Sequence, residues 1–217
     1  MSKAVKICGL TRPEDIAAAI GSGADFLGFI VEAKSPRRLS VAQAAKLSLP
    51  AKGITPRVAV TVNAEDDILS AIAAQMQPDF IQLHGDETPA RAAAIKSAYG
   101  IPIIRALPIA SAADLSAAAD YGGIADFFIY DAKAPAGKSG ADAQRGGHGL
   151  AFDWTILKHV PPAASHYLLA GGITPGNAAN ALRQSAAFGL DISSGVEQTK
   201  GVKDHNKIAK IMKAAHG

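Results

Sequence analysis

Cysteine is almost absent: Cys8 is alone among 217 residues. No internal disulfide can form, so a packed core has to hold the fold. The basic residues are scattered and not gathered into a stripe with interleaved aromatics, so nucleic acid is not an expected partner even at a formal net charge of +3. No apolar stretch approaches the ~20 residues of a membrane helix. No charged segment followed by an apolar one precedes the first strand, so the expectation is a cytoplasmic protein without membrane contact. The six histidines are dispersed and none is spaced with cysteine or carboxylates as a zinc site requires, so no metal is expected. The turn after the first apolar run reads CGLTRPED and lacks G-x-G-x-x-G, which weakens the case for an open dinucleotide-binding sheet. APAGKSG, at 134–140, only imitates a phosphate loop, because Ala132 stands where that motif needs its first glycine.

The hydrophobic content is 48%, enough for one substantial core. Short runs rich in Val, Ile, Leu and Phe recur with helix-like segments between them. They are VKICGL (5–10), FLGFIV (26–31), RVAVTV (57–62), FIQLH (80–84), PIIRAL (102–107), FFIYDA (127–132), HYLLAGG (166–172) and GLDISSG (189–195). Such alternation implies parallel strands joined by helical crossovers. Helix starts are marked by Thr11 before Pro13 and Glu14, Ser40 with Gln43, Ser111 with Asp114, and Thr174 before Pro175. The prediction is an α/β fold, a single-domain (β/α)₈ TIM barrel over residues 1–217, with reactive groups on the loops after the strands. The stretch 134–149, rich in Gly, Ala and Ser, reads as a mobile lid.

Several chemically useful residues fall at strand ends. Period-two alternation puts Lys6 and Cys8 on one face of the first strand, with Val5 and Ile7 on the other, toward the helices. Cys8 taken alone is a small buried hydrophobe. At the carboxyl end of the first strand, before a glycine turn and a helix start, it becomes a reagent whose thiolate those N–H groups would favour. Asp131 ends the sixth strand and is either a turn cap or the acid partner of Cys8 across the barrel mouth. Gly171, Gly172, Ser193, Ser194 and Gly195 lie at the last two strand ends, where barrels often bind phosphate with help from a short extra helix, here expected to begin at Gly195. KSPRRLS offers Arg37, suited to gripping a carboxylate through two parallel hydrogen bonds, or else a solvated basic loop. His84 is a polar wall of the site or a turn residue, and Asp191, inward by strand parity, is a partner for Lys6.

VKICGLT, GFI with KSPR, QLHGDE, YDAK, the GG-x-GLAFDW stretch, LAGGITPGN and DISSGVE together resemble phosphoribosylanthranilate isomerase, in order and spacing from the first strand to the last helix. The resemblance implies an Amadori rearrangement in tryptophan biosynthesis on a small phosphorylated substrate, without metal or organic cofactor. It implies Cys8 as general base, Asp131 as general acid and Arg37 as the binder of the anthranilate carboxylate. Gly172, Ser194 and Gly195 would surround the phosphate, with His84 and Asp191 lining the pocket. The chain departs from the family at Thr61, where an aromatic is common, and in the loop after the sixth strand. Other readings are a Schiff-base aldolase using Lys6 or Lys133, a non-catalytic phosphate-binding barrel, and activity on the related imidazole-carboxamide substrate of histidine synthesis. Monomer and homodimer are both compatible with the sequence.

Overall fold

The computed structural model describes residues 2–132 and 153–216. Eight barrel strands follow one another: β1 (Ala4–Cys8), β2 (Phe26–Val31), β3 (Arg57–Thr61), β4 (Phe80–Leu83), β5 (Ile103–Ile109), β6 (Phe127–Ala132), β7 (Tyr167–Leu169) and β8 (Gly189–Ile192). Each pairs in parallel with the next, and β1 pairs with both β2 and β8, so the sheet closes on itself. This is the (β/α)₈ barrel that the alternating apolar runs predict. A two-residue strand, Arg38–Leu39, adds to the rim beside β2. Strands β2 and β6 have the predicted bounds. The apolar runs at 166–172 and 189–195 stop being strand at Leu169 and Ile192. Beyond β7, Gly171 and Gly172 take φ values of 87° and 64°, a left-handed turn that a strand cannot contain.

Parity along the strands divides the core in two. Val5, Ile7, Leu27, Phe29 and Ile81 face outward into the layer between sheet and helices. Ala4, Cys8, Phe26, Val58, Val60 and Ile104 belong to a separate cluster inside the barrel. At the amino end, Phe26, Phe80 and Phe127 open β2, β4 and β6, and Phe188 precedes β8. Their rings meet edge-on or stacked, with centroids 5.5 Å apart for Phe80–Phe127, 5.8 Å for Phe26–Phe80 and 6.0 Å for Phe127–Phe188. Side chains from alternate strands filling one layer are the usual way a barrel interior packs. This aromatic plug seals one mouth, and any ligand must enter by the other.

The helices show which of the expected starts hold. Helix α1 (Pro13–Gly21) begins after Arg12, and Thr11 does not cap it: its hydroxyl donates to Gly201 O at 2.7 Å instead. Helix α2 (Val41–Ser48) has the full Ser40–Gln43 capping box. Asp114 accepts from the Ser111 N–H at 2.8 Å, but what it opens is a 3₁₀ helix, Ala112–Tyr121. Helices α3 (Asp66–Ala71) and α4 (Pro89–Tyr99) follow β3 and β4, the second capped by Thr88. Thr174 and Pro175 lead only into a turn. Helix α5 (Ala178–Ser185) starts later, with Asn177 at its cap and the Asn177 Oδ1 accepting from Thr174 N. Helix α6 (His205–His216) closes the chain. No helix among the described residues is long and apolar enough to cross a membrane. Lys133 and the expected lid at 134–149 lie outside the described residues.

Phe26→Ala should cost about 3 kcal/mol, since it removes a buried ring that packs on Phe80 and Phe127 in the plug and leaves a cavity. Urea denaturation measures this, and a loss below about 1 kcal/mol would mean the plug contributes little.

Candidate active site

The open mouth, at the carboxyl ends of the strands, holds a cavity of about 760 Å³. That is the size of a typical small-molecule site. Cys8, Arg37, His84, Asp131 and Asp191 all line it, and so do Gly171, Gly172, Ser193, Ser194 and Gly195. Every site residue predicted from the sequence therefore reaches one space. Ile30 of β2, Val60 of β3 and Val62 just past β3 add an apolar wall between Cys8 and His84. Thr61 is not part of that lining. Its hydroxyl donates to Gln82 O at 3.2 Å, so the missing aromatic does not change the cavity surface.

Strand register explains the chemistry around Cys8. Lys6 is the direct neighbour of Asp191 between β1 and β8, and Cys8 is the neighbour of Gly28 between β1 and β2. The first pairing gives an ion pair, with Lys6 Nζ donating to Asp191 Oδ1 at 2.9 Å and the lysine fully buried. The second leaves room. A Cβ on Gly28 would stand 2.8 Å from Cys8 Sγ and 3.1 Å from Lys6 Nζ. Gly28 had gone unassigned in the sequence, where a strand glycine signals only a close approach of unknown partner.

Burial pushes the Cys8 thiol up from its ordinary value, against the opposing pull of Lys6 and, more weakly, Lys203. This corrects the expectation that a helix start favours the thiolate: loss of water around the buried sulfur is the largest influence and outweighs the cations beside it. Burial alone would lower the Lys6 ammonium, but Asp191 and Cys8 outweigh it and hold it above the usual lysine value.

Across the mouth, on β6, Asp131 is buried, with His84 Nε2 3.5 Å from its Oδ2. Gln82 Nε2 lies 2.9 Å from His84 Nδ1. This contact holds the imidazole with Nε2 turned toward Asp131. His84 is thus a wall of the site and not a turn residue.

Arg37 is not a solvated basic loop residue. It is buried, and its Nε and Nη2 donate to Glu197 Oε1 and Oε2 at 2.6 and 2.7 Å. Lys203 Nζ donates to the same Oε1 and to Ser193 O, both at 3.0 Å. Desolvation opposes the Glu197 charge, but these two cations hold its carboxyl below the usual range. Among the described residues, two of the five guanidinium N–H groups are so occupied, which leaves three for a ligand in the cavity that Arg37 lines. Glu197 and Lys203 were missed by sequence reasoning, although Glu197 ends the quoted DISSGVE.

The helix expected from Gly195 is one 3₁₀ turn, Ser194–Val196. Glu197 then enters a hairpin with Val202–Lys203, drawn there by its bonds to Arg37 and Lys203. A Cβ on Gly195 would fall 1.7 Å from Ile173 O, so only glycine lets the loops after β7 and β8 touch. Ser193 Oγ is buried with no hydrogen-bond partner among the described residues. Also among them, no group of three or more His, Cys, Asp or Glu is arranged to hold a metal ion.

The profile of the N-(5'-phosphoribosyl)anthranilate isomerase family matches residues 5–214. An isomerase of that name from Parvibaculum lavamentivorans is 43% identical over 215 residues, 99% of this chain and 99% of its own. Among solved structures, phosphoribosyl anthranilate isomerase from Thermotoga maritima superposes with a TM-score of 0.85 at 32% identity, covering 98% of each chain. Another, in complex with reduced 1-(o-carboxyphenylamino)-1-deoxyribulose 5-phosphate, gives 0.82 at 30% identity with the same coverage.

Since Cys8 is the only thiol, iodoacetamide reports on it alone. Its alkylation should be slow at neutral pH and still be rising with pH above the ordinary thiol value of about 8.5. A rate already at its plateau near neutrality would contradict the burial argument.

Proposed function

The chain belongs to the N-(5'-phosphoribosyl)anthranilate isomerase family, and we propose that Cys8 and Asp131 carry out its Amadori rearrangement as base and acid within one barrel domain. The reaction turns N-(5'-phosphoribosyl)anthranilate into 1-(2-carboxyphenylamino)-1-deoxyribulose 5-phosphate, a step of tryptophan biosynthesis that needs no metal or organic cofactor. The observation that carries the residue roles is a thiol and a carboxyl on β1 and β6, lining one cavity with an arginine and a glycine–serine rim.

Substrate orientation follows from the two charged ends. The phosphate belongs with the backbone N–H groups around Gly172, Ser194 and Gly195 and with the Ser193 hydroxyl. The aromatic carboxylate belongs with the remaining N–H groups of Arg37, and its ring with the apolar wall of β2 and β3. The ribose then spans the mouth between Cys8 and Asp131. Protonated Asp131 gives its proton to the ring oxygen as the C1′–O bond breaks, and the nitrogen lone pair forms the C1′=N bond. The cationic imine acidifies C2′–H, and the Cys8 thiolate removes that proton. The C–H electron pair becomes C1′=C2′ while the C=N pair returns to nitrogen. The enolamine tautomerises to the ketone, gaining a proton at C1′ and losing one from the C2′ hydroxyl. Thiol and carboxylate then exchange a proton with solvent, so the atoms balance and the cycle closes. The active form holds one proton, on the carboxyl, and pH profiles report apparent values of the pair.

The alternatives have less support. A Schiff-base lysine must be neutral to attack, whereas Asp191 keeps Lys6 charged. Lys133, the other candidate, lies outside the described residues. A purely phosphate-binding barrel has no use for a thiol and a carboxyl at the same mouth. Arg37, with its preference for a planar carboxylate, favours the anthranilate substrate over the imidazole carboxamide.

Loss of anthranilate-type fluorescence on freshly made phosphoribosylanthranilate follows turnover. Cys8→Ala and Asp131→Asn should each lower kcat by roughly 10²–10⁴-fold while leaving product binding nearly intact. Unchanged turnover in either removes that residue from its role. Glu197→Gln, by loosening Arg37, should raise KM by about 10-fold with a smaller change in kcat. An unaltered KM would show that Arg37 needs no such brace.

A further inference from the structure

Lys6 is a buried charge that the proposed acid and base steps leave unused. It has no exposed surface, and its hydrogen bond to Asp191 uses one of three ammonium donors. On the same face of β1, two residues along, stands Cys8. The absent side chain of Gly28 lets the two approach: Lys6 Nζ and Cys8 Sγ lie within 3.1 and 2.8 Å of the same point, where a Cβ would be.

We infer that Lys6 is the counter-charge of the Cys8 thiolate, held against the sulfur by Asp191 through the gap at Gly28, and so serves as a positioning and charge-setting residue for the base. This rests on the reading of Cys8 as the base. Among the described residues, the charged groups facing the sulfur are Lys6 from its own strand, Asp191 from β8, Lys203 from the hairpin after β8 and Arg37 from the loop after β2. Arg37 and Lys203 are both committed to Glu197, one through a two-bond fork and the other at 3.0 Å. Asp191 and Lys6 act on Cys8 with opposite sign, and Lys6 has the larger influence of the two. A buried sulfur bears charge at a bearable cost only beside a fixed cation. As C2′–H is removed, the thiolate is neutralised and Lys6 keeps its bond to Asp191.

The test is the pH titration of the single thiol, by ultraviolet thiolate absorbance and alkylation rate, in the intact protein and three variants. Lys6→Met should raise the midpoint by about 1–3 pH units, as expected for losing an opposite charge at close range. Asp191→Asn should lower it, because Lys6 then has Cys8 as its nearest anionic partner. If Lys6→Met alone does not fold, the neutral pair Lys6→Met/Asp191→Asn carries the comparison, and its midpoint should lie above that of Asp191→Asn by a similar 1–3 units. A midpoint that ignores Lys6 in both backgrounds, or one that rises in Asp191→Asn, overturns the inference. The pH profile of kcat/KM in each folded variant separates the two claims. A profile that moves with the titration supports both. A titration that shifts while the kcat/KM profile stays fixed overturns Cys8 as the base, with the Lys6–Cys8 coupling left standing.

Discussion

Closure of the parallel ring is the constraint from which the site follows. Because β1 pairs on both sides, with β2 and β8, it has no edge, and each of its side chains must enter either the barrel or the helical layer. A shift of one residue would turn Lys6 and Cys8 out among the helices and put Val5 and Ile7 at the mouth. The outer cluster, which takes up Val5 and Ile7, therefore fixes the position of the sulfur. The phenylalanine plug does the same from below, filling the amino end so that the open volume lies only where strands finish.

Charges enter such an interior in pairs, since an unpaired one would cost several kcal/mol. Lys6 with Asp191 is one such pair, while Arg37 and Lys203 share the single carboxylate of Glu197, which leaves that set one positive charge in excess. Replacing either set by apolar groups could leave the fold as stable, so stability is not the reason for it. What the sets provide is orientation without later rearrangement: donors already aimed at where an anion will rest or form. The cost falls on Cys8, whose thiol is raised by the same burial that keeps water away. Its neighbours then determine how much thiolate exists.

Much of this was legible in the sequence, and the failures have physical causes. Cys8 and Asp131 could be placed because each closes an apolar run, and an apolar run marks a strand by itself. The Lys6–Asp191 pair could be guessed from parity on two strands. Glu197 could not: it supports Arg37 from 160 positions away, and a local pattern carries no trace of that contact. Gly28 likewise gains its meaning only from register with Cys8. Thr11 looked like a helix cap because hydroxyl chemistry is the same for a cap and a strap, yet its partner is the Gly201 carbonyl. The glycine–serine rim was found from its composition. Its short helix was misjudged because pairing of Glu197 with Lys203 ends the turn early.

The central claim is that one ligand is gripped at both ends while Cys8 and Asp131 reach its sugar from different strands. A crystal structure of this protein with reduced 1-(o-carboxyphenylamino)-1-deoxyribulose 5-phosphate tests that directly. The account predicts phosphate at Gly172, Ser194 and Gly195, the carboxylate on Arg37, and the sugar chain within contact of both the Cys8 sulfur and the Asp131 carboxyl. A ligand bound in the reverse sense, or one whose sugar touches neither group, would contradict it.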